Sequence, residues 1–149
     1  MYLYDIGNSN KNIKTKNYST FDIKPLCWNA MLVINENKNL VGIGCNDSTF
    51  ILQINDIDKI NVIKEIKIKN DYCLYDALCL YQNIFLILGT RQGNMYFFDI
   101  NNNYEFIKAI ENAHQYIKDS NASINGITEL SDGSFASFGE DKKIKIWYF

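Results

Sequence analysis

The sequence repeats itself. Met1-Tyr2-Leu3-Tyr4-Asp5-Ile6 returns as Met95-Tyr96-Phe97-Phe98-Asp99-Ile100 with four of six positions identical, a separation of 94 residues. Half that distance, 47, lands on Phe50-Ile51-Leu52-Gln53-Ile54, and one more step reaches Ile144-Lys145-Ile146-Trp147-Tyr148. Taking Tyr4, Gln53, Phe98 and Trp147 as equivalent gives successive offsets of 49, 45 and 49. A fixed period of this size means that one supersecondary unit, unable to bury its apolar face alone, is stacked on copies of itself.

Two further series run in phase with the first. Trp28-Asn29-Ala30-Met31, Tyr75-Asp76-Ala77-Leu78 and Ile124-Asn125-Gly126-Ile127 share an order of aromatic or branched, Asn or Asp, small, aliphatic. Leu40-Val41-Gly42-Ile43-Gly44, Phe85-Leu86-Ile87-Leu88-Gly89 and Ser134-Phe135-Ala136-Ser137-Phe138 lie between these and the first series. Asn-, Asp- and Gly-containing turns separate the runs, among them Gln82-Asn83, Arg91-Gln92-Gly93-Asn94, Ser131-Asp132-Gly133 and Glu140-Asp141-Lys142. Such turns make hairpins, so the sheets are antiparallel. A more polar fourth strand follows over Lys59 to Lys69 and again over Tyr104 to Ile110, with the composition of an outer edge. Four strands per unit of about 45 residues, with no 3.6-residue apolar period, is the signature of propeller blades. The small residue at Ala30, Ala77 and Gly126 is then expected where inner strands converge on the axis.

The last unit, Ile124 to Trp147, resembles a WD40 repeat. That family buries a tetrad made of a third-strand Trp, an Asp six residues earlier, a Ser or Thr four before that, and a His ahead of the first strand. The matching residues are Trp147, Asp141, Ser137 and His114. In the preceding unit Phe98, Gln92 and Leu88 stand at these positions, and in the one before it Gln53, Asp47 and Ile43, so those blades are expected to rely on apolar packing. The resemblance implies an all-β partial β-propeller of WD40 type, with two complete four-stranded antiparallel blades flanked by two incomplete ones. The expected boundaries are 1–22 for a third and outer strand, 23–70 and 71–113 for the blades, and 114–149 for a last blade lacking its outer strand.

Composition removes several function classes. A net charge of −2 supplies no basic field to displace counterions from a phosphate backbone, so nucleic acid is not an expected partner. No apolar run approaches a membrane span, and no leader is visible at Met1 to Asn10, so an intracellular protein, cytoplasmic or nuclear, is expected. Cys27, Cys45, Cys73 and Cys79 lack C-x-x-C spacing and lie in or beside apolar runs, which suits buried reduced thiols. His114, Asp141 and Ser137 could imitate a catalytic triad, but the WD40-like spacing gives them a buried role, and neither catalysis nor a cofactor is expected.

The resemblance implies a scaffold whose rim contacts other proteins. Asn46, Arg91 and Glu140 each precede the tetrad-Asp position on that rim, and Trp28 and Tyr75 open inner strands at the same face; these five are the candidate partner contacts. The alternative is a propeller enzyme or a small-ligand or cation binder using Asn29, Asp76 and Asn125 around the axial channel. The strand count also leaves blades to be supplied, either by the same full-length chain or by another subunit, and the strands at Met1 to Ile6 and Lys143 to Phe149 are expected to drive self-association.

Overall fold

The structure, a computed structural model, describes residues 2–5, 14–17, 30–35, 40–44, 48–56, 59–68, 75–115 and 122–148. Every helix or strand among them is a strand. In chain order these are β1 (Tyr2–Asp5), β2 (Lys14–Asn17), β3 (Ala30–Asn35), β4 (Leu40–Gly44), β5 (Thr49–Asp56), β6 (Lys59–Ile66) and β7 (Tyr75–Tyr81). Then come β8 (Phe85–Thr90), β9 (Met95–Asp99), β10 (Glu105–Ile110), β11 (Ile124–Glu129), β12 (Phe135–Gly139) and β13 (Ile144–Trp147). They form four antiparallel sheets: β1-β2, β3-β4-β5-β6, β7-β8-β9-β10 and β11-β12-β13, each a meander of sequence neighbours. No helix among the described residues is long and apolar enough to cross a membrane.

The turns explain why adjacent strands pair. Thr90 to Asn94, Leu130 to Ser134 and Gly139 to Lys143 make one hairpin type, in which the first residue accepts from the fourth and donates to the fifth. The fourth residue is left-handed in all three: Gly93 at φ 84°, Gly133 at 81° and Lys142 at 61°. This is a type I turn closed by a one-residue bulge, the common three-residue hairpin connection. Gln82-Asn83 and Asn103-Tyr104 instead place both central residues at positive φ, the signature of a type I′ turn, which matches the right-handed twist of the flanking strands.

Alternation within β8 shows how the sheets stack. Leu86 and Leu88 face one way and join Ile34, Ile51 and Ile66 of the preceding sheet, together with Tyr96 and Phe98. Ile87 faces the other way and joins Tyr81, Met95 and Phe97 against Ile124 and Phe135 of the next. A strand buried on both faces must be apolar throughout, as Phe85-Leu86-Ile87-Leu88 is. Phe135 anchors the second interface edge-on to Tyr81 at 5.5 Å and to Phe97 at 5.9 Å, and stacks on Trp147 at 6.1 Å. The outer strands are more polar, and β10 is exposed over Glu105 to Lys108.

Two expectations change. Pairing places Leu52 opposite Val41, Phe98 opposite Leu86 and Trp147 opposite Phe135. Leu52, not Gln53, is therefore the counterpart of Trp147. The segment between Gly44 and Thr49 is one residue shorter than its two counterparts, Gly89 to Met95 and Phe138 to Ile144, which shifts the sequence alignment by one. Leu52 is buried, as an apolar substitute for the indole should be. The second change concerns Gly126. A Cβ there would lie 2.2 Å from the Phe138 ring, so its smallness serves a cross-strand neighbour in its own sheet.

Candidate functional site

Ser137, at the middle of β12, points into the interface that Phe135 anchors. Trp147 ends β13, Asp141 sits third in the β12–β13 turn, and His114 closes the turn that follows β10. The structure brings all four together. Trp147 Nε1–H donates to Ser137 Oγ at 2.9 Å, Ser137 Oγ lies 2.8 Å from His114 Nε2, and His114 Nδ1 lies 2.7 Å from Asp141 Oδ1. With the hydrogen on Nδ1, every donor points one way: indole to hydroxyl, hydroxyl to imidazole, imidazole to carboxylate. His114 and Ser137 are fully buried, and Asp141 is only 1% exposed.

Asp141 then receives what remains. Oδ1 also accepts from Lys143 N–H at 3.2 Å, and Oδ2 accepts from Gln115 N–H at 3.4 Å. Burial would raise the carboxyl pKa, but the bonds from His114 and from the Gln115 and Lys143 N–H groups outweigh it and hold the group below the usual carboxylate range. The site thus stabilises a carboxylate where water is nearly excluded.

Two glycines give His114 its seat. His114 N–H donates to the Gly93 carbonyl at 2.9 Å, and a Cβ on Gly93 would stand 2.1 Å from the His114 carbonyl oxygen. A Cβ on Gly139 would lie 2.8 Å from His114 Nδ1 and 2.5 Å from the Ser123 carbonyl. Lys145, which sequence reasoning did not single out, donates from Nζ to the Ala113 carbonyl and so ties β13 to the turn carrying His114. Tyr81 was missed too: its hydroxyl donates to the Gly133 carbonyl, linking the end of β7 to the β11–β12 turn. An aromatic closing an inner strand, six residues after Tyr75, was the signal available.

In the preceding sheet the tetrad positions hold Leu88 and Phe98, both buried in the apolar cluster, and exposed Gln92. Of the rim candidates, Arg91 is exposed and Glu140 half-buried, and they occupy the same second position of equivalent turns. Tyr75 begins β7 opposite Thr90, next to Arg91 in the chain. Its side chain, together with Trp28 and Asn46, lies outside the described residues. Among the axial candidates Asn125 is exposed at a bulge between Ile124 and Gly126, and Asp76 sits at the corresponding bulge in β7. Asn29 and the Asp76 side chain lie outside the described residues, as do Asp47 and the cysteine side chains. No group of three or more His, Cys, Asp or Glu placed to hold a metal ion occurs among the described residues.

No protein-family model matches the chain, and no curated protein matches it. Among solved structures it is similar to the β-propeller domain of Cps50 (Swd1) from Myceliophteria thermophila, with a TM-score of 0.60 and 10% identity. The match covers 80% of this chain and 39% of that one. The fold is that of a β-propeller. At this identity the likeness concerns architecture, and the chain spans well under half of the domain it matches.

Proposed function

We infer that the chain is a stretch of WD40-type propeller, with blades over 1–22, 23–70, 71–113 and 114–149, that serves as a non-catalytic scaffold for protein partners. The observation that carries this is the closed hydrogen-bond chain from Trp147 through Ser137 and His114 to Asp141. A Ser, His and Asp used for acyl transfer need an exposed hydroxyl and nearby oxyanion donors. Here the hydroxyl is fully buried and already accepts the indole N–H, so the three side chains brace a turn. What that bracing presents is the rim, where Arg91 and Glu140 take equivalent turn positions and Tyr75 pairs alongside. Arg and Tyr are types that dominate binding energy at protein interfaces.

The test is affinity capture of the epitope-tagged protein from its own cells, comparing wild type with Arg91→Glu. Co-purifying proteins should be lost at unchanged melting temperature. An unchanged set of captured proteins for both Arg91→Glu and Glu140→Arg would overturn the rim assignment.

A further inference from the structure

The two four-stranded sheets meet along a seam that opens between their outer strands, β6 and β10, and register fixes which side chains face it. Ile51 joins Leu86 and Leu88 of the next sheet in one apolar cluster. Gln53, two residues on, shares that face, and so do Asn61 and Lys64, the cross-strand partners of Gln53 and Ile51. The opposite wall is apolar. Phe98 belongs to the same cluster, and Phe106, its partner on β10, meets its ring edge-on at 5.8 Å while remaining 53% exposed.

The polar wall has no work inside the fold. Gln53 and Lys64 are half-buried and Asn61 is exposed, and none of the three has a hydrogen-bond or ion-pair partner among the described residues. At the corresponding positions of the next sheet stand Asp99, Glu105 and Lys108, and there the fold engages each one. Asp99 Oδ1 accepts from Asn101 and Asn102 N–H, Glu105 accepts from the Asn102 amide, and Lys108 Nζ lies over the Phe97 ring at 5.0 Å. Of the side chains that register turns into the seam, Lys64 carries the charge.

We propose that the seam between β6 and β10 binds an extended peptide of another protein in which an acidic residue lies close to an aliphatic or aromatic one. The carboxylate pairs with Lys64, whose half-burial reduces the screening of that attraction. The apolar side chain packs on Phe106. The Gln53 and Asn61 amides each donate and accept, which suits the peptide groups of an extended backbone. The inference rests on the scaffold reading's premise of protein partners but uses no rim residue, so Arg91→Glu in cells and Lys64→Glu against peptides can fail separately.

The test is a synthetic peptide array of short segments, with aspartate or glutamate at every spacing from leucine or phenylalanine, followed by titration of the tightest labelled peptide into the full chain. Acidic segments should bind, and the same segments with lysine in place of the acid should not. Lys64→Glu and Phe106→Ser should each raise the Kd at least about tenfold. Lys64→Glu should also gain the lysine segments, a switch that a folding defect cannot imitate. Val62, 44% exposed, pairs with Leu52 and faces away from the seam, so Val62→Ser should leave binding unchanged. Failure of every acidic segment to bind would overturn the proposal, as would binding that ignores Lys64→Glu. So would wild-type self-association in sedimentation that Lys64→Glu abolishes, which marks a second copy as the occupant.

Discussion

Replacing Ser137 by alanine removes one oxygen and almost no volume, so its effect isolates the hydrogen-bond chain. Two bonds go: the one from Trp147 Nε1 at 2.9 Å and the one to His114 Nε2 at 2.8 Å. Their former partners fare differently. His114 is fully buried, so its Nε2 keeps the whole desolvation penalty, about 1–3 kcal/mol. Trp147 is only partly buried, and water can replace part of what it loses, leaving a net cost of about 0.5–1.5 kcal/mol. The total is about 1.5–4.5 kcal/mol, or about 3–18 °C in melting temperature for a chain of this size. Urea denaturation should show a lower midpoint, and hydrogen exchange should place the loss in β12 and β13. His114→Ala should itself cost about 1–3 kcal/mol, and in that background Ser137→Ala should cost far less, since the orphaned imidazole is gone. A single-variant cost below about 0.5 kcal/mol, the level of an ordinary surface change, or strict additivity of the two substitutions, would refute the linked network.

The Asp141 carboxyl sits below the usual carboxylate range, so its contribution is fully present above the unfolded pKa of about 3.9 and is lost as pH falls through the lower folded value. The stability gap between wild type and Asp141→Asn, read from urea midpoints, should therefore narrow as pH falls below about 4; a constant gap would contradict a charged, hydrogen-bonded Asp141. Gly93 and Gly133 share left-handed φ values of 84° and 81°, but a Cβ would meet the His114 carbonyl at 2.1 Å in one case and only Gln82 Nε2 at 3.9 Å in the other. Gly133→Ala should cost the conformational strain alone, about 1–2 kcal/mol, and Gly93→Ala clearly more by thermal melt. Tyr81→Phe should cost about 0.5–1.5 kcal/mol, because the ring keeps its edge contact with Phe135 while the bond to the Gly133 carbonyl is lost.

The strands were legible because each carries its own periodic apolar pattern between turn residues, and the tetrad because its spacing within one hairpin is rigid. Ser137, Asp141 and Trp147 lie on two paired strands and the turn between them, so sequence distance translates directly into geometry. His114 was harder to place. It reaches the site by a turn whose position depends on backbone contacts at Gly93 and on space left by Gly139, neither of which leaves a residue pattern around His114 itself. The Gln53 assignment failed for a related reason. A shorter hairpin shifts every residue beyond it by one, and in a strand of period two that exchanges the faces. Phe50-Ile51-Leu52 is apolar on both faces, so composition could not reveal the slip. The role of Gly126 was equally hidden, since the ring that covers it belongs to Phe138, twelve residues on, and only the cross-strand register brings them together.

One blade uses a buried polar chain where its neighbour uses Leu88 and Phe98, and energy alone does not account for the difference. Fully satisfied buried networks contribute little net stability compared with well-packed apolar groups of the same size. Direction is what they add. The apolar pair can slide or repack without losing much, whereas each tetrad bond has one donor, one acceptor and one geometry. Here that chain links β12, β13, their turn and the turn after β10, so the segment joining two successive sheets is held to the body of the second. Lys145 on the Ala113 carbonyl and Glu140 N–H on the Ser123 carbonyl fasten the same crossing from either side. Glu140 is held between the tetrad turn and this crossing, and Arg91 lies in the turn whose Gly93 carries His114. Under the scaffold function proposed for the chain, a docking rim would require such rigid placement of two turn residues from adjacent sheets, which directional polar bonds supply better than an apolar core.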